Sequence, residues 1–438
     1  MKNDVEKASA SNIDEDTNKA NMKMLWNFYE EQATRNIWLE LKGLKESPPH
    51  KDQADECYIY RVPNSLRVSN PEAYTPQLIS IGPFHRDSER LKAMETLKIR
   101  YQKRFLETNK MDEKEIVDFV RRIQKEEESI RRCYSESISI HTERFVKMIV
   151  LDAVFIIEFL KDSCASGFPK NIDTRMRFCI GEDLVLLENQ LPFSILDLIY
   201  SEFYHHMKIK LLYSILPPVI LESTHFAQRP EYTTDKAQHF TDLLMKFMLE
   251  GAKKRESLSD LIKLKYNAAM LRKAGVKFQK TEDKCLFNVR FEKGALKIPI
   301  LKVDDSLERV VRNVMAWEQC SKPDEAYISN YFKFMDHLID RAEDVALLAE
   351  EGIIMNWLGD DAAVSKLMNN LSQRSETTSY YSENHKMNEY YENPWNRRKA
   401  TLKLVYFSNL WRGTGTVAAA FLLILTLLQT ITSLKSSF

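Results

Sequence analysis

Three polar residues in a row, Glu188-Asn189-Gln190, interrupt an apolar stretch, with Leu184 to Leu187 before them and Leu191-Pro192 after. A carboxylate and two amides in such a place are candidates for acid–base work, and Arg61 and His85 would join them if the fold brought them together. Buried polar groups must find hydrogen-bond partners in any case. A structural polar network of Arg61, His85, Glu188, Asn189 and Gln190 is therefore the plainer expectation.

Other constellations carry less. There is no GxxxxGK[ST], no GxGxxG after a strand, no HExxH and no GxSxG elbow. His205-His206 is the only adjacent histidine pair, and neighbours on a helix point about 100° apart, which is poor geometry for one metal. Asp336-His337 has no second histidine at a supporting spacing and reads as a helix-surface pair. The carboxylate pairs Asp304-Asp305 and Asp360-Asp361 each precede an expected helix, where they would cap free N–H groups rather than share a substrate. No catalytic residue, cofactor site or metal site is assigned.

The elements that must position these residues are mostly helices. The chain has 438 residues, 44% hydrophobic and 29% charged, and only 11 are glycine. That glycine share is less than half the usual value of about 7%, so positive-φ turns and phosphate-cradling loops are few. Basic and acidic side chains balance at 63 each, which argues against nucleic acid as a partner. The six cysteines, Cys57, Cys133, Cys164, Cys179, Cys285 and Cys320, lack the close pairing of a zinc site and are expected as reduced thiols.

Along the chain, Met1 to Met22 is polar and expected as a disordered tail. Residues 23–371 form the expected helical domain. Ile59 to Val62 and Leu78 to Ile81 read as short strands or extended pieces, and Asp112 to Arg132 as a charge-rich helix. Val146 to Leu160 is apolar but broken by Asp152 and Glu158, so it reads as a core helix rather than a membrane pass. Asp183 to Tyr200 continues as helix, kinked or restarted at Pro192, and Gln228 to Asp235 is turn-like. Phe287 to Leu301 alternates around Lys293-Gly294, a hairpin signal. Asp305 to Cys320, Ala326 to Ile339 and Val345 to Leu358 read as helices, with Asp360 or Asp361 capping another.

Residues 372–412 are polar and expected as a stalk and juxtamembrane segment leading to a membrane helix over 413–434. No charge occurs from Gly413 to Leu434, and that length spans roughly 30 Å as a helix. Trp411 would sit at its headgroup boundary, with Leu423 and Leu427 facing lipid. Gly415 and Ala419, four apart, would either face lipid or let two copies pack closely as a homo-oligomer. Arg397, Arg398, Lys399, Lys403 and Arg412 precede the segment and only Lys435 follows, so the bulk of the chain is expected in the cytosol, with tail-first insertion. Which membrane is not specified. Asn370-Leu371-Ser372 is a glycosylation sequon that this topology would leave unmodified.

Taken in order, several segments resemble the plant domain-of-unknown-function 247 family. They begin with Ile59-Tyr60-Arg61-Val62-Pro63, Tyr74-Thr75-Pro76 and Ser80-Ile81-Gly82-Pro83-Phe84-His85, followed by Met94-Glu95 with Lys98. Further matches are Leu187 to Pro192, Ala274-Gly275-Val276-Lys277-Phe278, Ile298-Pro299, Arg312-Asn313 to Trp317-Glu318-Gln319, Asp344-Val345 with Gly352-Ile353-Ile354, and Thr426 to Thr430. Arg86 stands where the family often has a second histidine, and Leu410-Trp411 where it usually has Pro-Trp. The resemblance implies a C-terminally anchored plant protein without established enzymatic activity, some grass relatives being linked to pollen self-incompatibility. It supplies no catalytic residue.

Two functional readings follow. The first is a membrane-tethered, non-enzymatic protein acting through recognition of a protein partner. The second is an unrecognised membrane-associated enzyme with a pocket near Arg61, His85 and Glu188, which a cleft with perturbed ionisation would favour and a packed core would oppose.

Overall fold

The computed structural model describes residues 57–164, 172–204, 237–253, 262–373, 382–402 and 410–436. The expected tail over 1–22, the His205-His206 pair and the turn-like stretch 228–235 lie outside them. The described chain is mainly helical with a few short strands.

A short helix α1 (Asn64–Arg67) is followed by α2 (Glu95–Thr108), α3 (Glu113–Lys125), α4 (Glu127–Arg132) and α5 (Thr142–Cys164). The charged stretch expected as one helix is thus two, α3 and α4, joined at Glu126. Asp112 and Glu115 start α3 with a reciprocal capping box, the side chain of each accepting the other's backbone N–H. Helix α5 packs against α2, α3 and α4, and its residues from Met148 to Leu160 are buried on every side, as expected of a core helix. Helices α6 (Thr174–Leu184) and α7 (Phe193–Phe203) follow; residues 185–192, expected as helix, form a loop, and Pro192 is the N-cap from which α7 starts rather than a kink in one continuous helix.

Helices α8 (Phe240–Met248) and α9 (Ala268–Lys273) lead into β1 (Lys277–Thr281), β2 (Arg290–Glu292), β3 (Ala295–Pro299) and β4 (Leu301–Val303). Strands β2 and β3 form the expected hairpin, with Arg290 opposite Lys297 and Glu292 opposite Ala295. Lys293 and Gly294 both take positive φ, 51° and 76°, as a two-residue hairpin turn requires. Strand β1 pairs parallel to the other edge of β3.

Then come α10 (Leu307–Ser321), α11 (Tyr327–Leu338), α12 (Ala342–Glu350), β5 (Ile354–Asn356) and α13 (Asp361–Leu371). The helix expected over Val345 to Leu358 ends early. Gly352, at φ 70°, turns the chain into β5, which pairs parallel with β4. Asp360 caps α13 by accepting the Ala362 N–H.

Part of the expected stalk instead packs on the body. Helix α14 (Ser382–Glu392) contacts β2, and Met387 is fully buried. Asn384 and Asn388 donate from their side chains to the carbonyls of Ile262 and Lys263, and Asn388 accepts the Lys265 N–H. Tyr266 and Tyr391 stack with ring centres 3.7 Å apart. Helix α15 (Pro394–Thr401) also touches α9. The last element is α16 (Leu410–Ser436). Its stretch Thr414–Ser433 is the one helix among the described residues long and apolar enough to cross a membrane, with a mean hydropathy of 1.9 and no part buried.

Candidate functional site: a buried polar clamp

Apart from α1 and a 3-10 turn at Pro71–Tyr74, the chain from Tyr58 to Phe84 is irregular, yet Ile59, Val62, Ile79 and Ile81 are buried. Buried amides need partners. Leu78 to Ile81, expected as a short strand or an extended piece, is the latter: it has no ladder partners, and side chains take that place. Asp183, at the end of α6, accepts the N–H groups of Gln77, Leu78 and Ile79 at 2.8, 2.7 and 2.8 Å. Asn189 accepts the Ile81 N–H at 2.7 Å and donates back to the Ile79 carbonyl. Asp152, on α5, accepts the Gly82 N–H at 2.9 Å and pairs with buried Lys98 at 2.6 Å. The earlier piece, Ile59 to Val62, makes only a single bridge from Ile59 to Tyr134.

Glu188 closes the clamp on that piece. Its fully buried side chain accepts the Val62 N–H at 2.7 Å and a hydrogen bond from Arg67, with Arg61 3.3 Å away. His85 Nε2 lies 3.1 Å from the same carboxylate, close enough for an ion pair but not aligned for a hydrogen bond. Burial alone would raise the Glu188 carboxyl, but His85, Arg67 and the Val62 amide outweigh it and hold it down to about 2. Arg61, His85 and Glu188 therefore converge. Asn189 and Gln190 do not join them: the Gln190 amide donates to the carbonyls of Leu184 and Leu186 and accepts the Phe240 N–H.

Other members carried weaker signals. Arg309 donates to Asp183 at 2.6 Å and Asn313 accepts the Leu187 N–H at 3.0 Å, both from α10. His239 caps α8 through Nδ1 and meets the Tyr58 carbonyl through Nε2 at 3.0 Å. Burial lowers that imidazole to about 4, so it is neutral, with Nδ1 accepting and Nε2–H donating. Asp152 showed itself as a break in an apolar run. Asp183 gave no such sign, because it read as the first residue of a helix, where a carboxylate is ordinary, whereas it lies in the last turn of α6 and serves amides far away in sequence.

The geometry bears on chemistry. A catalytic acid or base needs a pKa near the working pH and a free lone pair or proton. Glu188 is ionised far below neutrality, and both its oxygens are engaged by the protein. Glu182 is pushed up to about 7 by burial and by Asp183, Asp304 and Asp305, with Arg309 opposing, and burial also raises Asp152, Asp183 and Asp197. No cluster of three or more His, Cys, Asp or Glu side chains among the described residues is arranged to hold a metal. Cys57, Cys133, Cys179, Cys285 and Cys320 are free thiols.

The remaining sequence candidates fall elsewhere. Asp336 pairs with Lys333 and accepts from Ser372 Oγ at 2.6 Å. Ser372, the third residue of the sequon Asn370-Leu371-Ser372, is buried, and Asn370 is half-buried. Gly415, Ala419, Leu423 and Leu427 lie on α16 and are exposed, and Trp411 is in its first turn.

A helical body whose irregular N-terminal segment is clamped by buried carboxylates and amides, followed by one apolar C-terminal helix, defines the class. The chain belongs to the plant domain-of-unknown-function 247 family, described as plant protein of unknown function, which it matches over residues 59–425. It is similar to two proteins of Arabidopsis thaliana, each aligned over 87% of this chain. UPF0481 protein At3g47200 is 28% identical, with 87% of its own length covered, and UPF0481 protein At3g02645 is 24% identical, with 90% covered. No solved structure matches the chain.

Proposed function

We propose that this protein is a membrane-tethered, non-enzymatic recognition protein, its body held at the cytosolic face by α16 and offered to a protein partner. The observation that carries the tether is the stretch Thr414–Ser433, twenty uncharged residues of mean hydropathy 1.9, none of that length buried in the body. Left in water, it would expose Phe421, Leu422, Leu423, Leu427 and Leu428, each more than half accessible. The basic side chains Arg397, Arg398 and Lys399 before it and the single Lys435 after it support a cytosolic body. The saturated Glu188 carboxylate supports a non-enzymatic reading, since it leaves Arg61 and His85 serving structure.

Alkaline carbonate extraction of microsomes tests the tether. The full chain is expected to stay in the pellet and a chain ending at Arg412 to be released. Protease added outside sealed microsomes is expected to digest the body. Recognition is tested by affinity capture and by cross-linking in membranes. A chain that stays monomeric and enriches no specific protein would sink that half of the proposal, including self-association through Gly415 and Ala419.

A further inference from the structure

Helix α15 has two unlike faces. On one, Asn396 donates to the Tyr390 carbonyl, and Ala400 is buried, its Cβ 3.1 Å from where a side chain on Gly275 would begin. On the other, Pro394, Arg397, Arg398, Thr401 and Leu402 follow the i, i+3, i+4, i+7, i+8 spacing of one helix stripe and line an open groove. Trp395 flanks that stripe and is 75% exposed, and Leu402 is 51% exposed. The stretch 394–402 contains three bases and no acid. The nearest preceding carboxylate, Glu392, is taken by Lys265 and Tyr266.

We propose that this face lies on an anionic phospholipid surface, with Arg397 and Arg398 on headgroup phosphates and Trp395 and Leu402 in the interfacial layer. The proposal rests on the membrane reading of α16 and adds a second contact, one that sets the orientation of the body. Charge favours it: guanidinium groups match phosphate oxygens with paired donors, and an unopposed basic stripe is drawn to an anionic leaflet. The exposed indole favours it, because an amphipathic ring is most stable at headgroup depth. Chain length favours it too. Eleven residues separate Leu402 from Thr414, so even fully extended they reach only about 40 Å, and the face cannot leave the vicinity of the bilayer. The contact of Ala400 with the turn at Gly275 passes that orientation to the body.

The test uses the full chain in nanodiscs of phosphatidylcholine alone or mixed with phosphatidylserine, each with brominated acyl chains. The reporter is the part of the tryptophan emission that Trp395→Phe removes. Strong quenching is expected with phosphatidylserine and weak quenching without it. The docked fraction should fall about fivefold for each arginine lost, and more for R397E/R398E, with a similar loss at high salt. Arg397→Lys/Arg398→Lys keeps the charge and should keep the quenching, which controls for misfolding. Trp395 unquenched in both lipids, or quenched equally in both, overturns the proposal while leaving the tether intact. A full chain that fails to enter nanodiscs at all overturns the membrane reading itself.

Discussion

Glu188 Oε1 accepts the backbone N–H of Val62 at 2.7 Å, across 126 positions of sequence. One carboxylate thereby replaces the strand partner that the extended piece around Val62 lacks, and the same charge draws in Arg61, Arg67 and His85. Such an arrangement is costly to break on one side only, because the remaining charges stay in place unpaired.

Glu188→Gln is therefore expected to destabilise the protein by about 2–4 kcal/mol, the upper part of the range discounted because Arg61 and Arg67 are partly solvated. The pH dependence has a definite sign. With the folded carboxyl at about 2, below its unfolded value, the stabilisation is present above the unfolded pKa and is lost as pH falls toward 2. Thermal unfolding in detergent from pH 6 downward should show a steeper acid decline in the wild type than in Glu188→Gln.

Glu182 gives the opposite sign. Its folded carboxyl stands at about 7, above the unfolded value, so the protonated form favours folding and stability is lost as pH rises through 7. Glu182→Gln should be near neutral at pH 5 and stabilising at pH 8, on the order of 2 kcal/mol. Unfolding midpoints for both proteins at those two pH values check it. A variant that is less stable at pH 8 would show that Glu182 is stabilised as an anion.

Gly82 is the tightest point of the clamp. Its φ is +71°, and a side chain there would begin 2.6 Å from the Gln190 carbonyl oxygen. Gly82→Ala combines left-handed strain with a backbone clash and is expected to cost roughly 3 kcal/mol or more. Denaturant midpoints read it directly. A loss near 1 kcal/mol would mean that the 183–190 loop yields.

Much of this was legible locally. The β2–β3 hairpin declared itself because alternation and Lys293-Gly294 are both short-range signals, and α5 because its apolar run is too long for a strand. The polarity of Glu188, Asn189 and Gln190 within an apolar run announced buried hydrogen bonding. Which groups they hold was not legible, since the Val62 amide on Glu188 and the Ile79 and Ile81 groups on Asn189 lie more than 100 positions away. The parallel pairings of β1 with β3 and β4 with β5 were hidden as well, because they join strands through crossovers that no turn chemistry encodes. Leu78 to Ile81 could be read as a short strand or an extended piece and no further, because an apolar extended segment looks the same whether a ladder or carboxylates hold its amides.

The segment before α16 supplies the last test. Its composition, rich in Ser, Asn, Tyr and Glu, suggested a solvated stalk, yet α14 buries Met387 completely and uses Asn384 and Asn388 to satisfy the carbonyls of Ile262 and Lys263. Polar composition misled here because two asparagines serve as buried hydrogen-bonding groups rather than as solvated surface. Met387→Ala should then cost about 2–4 kcal/mol, the loss of a buried side chain plus the cavity it leaves. In a free stalk the same change would stay within about 0.5 kcal/mol. Urea unfolding of the full chain in detergent separates the two. A large loss ties the segment next to α16 rigidly to the body, and a negligible one restores the stalk.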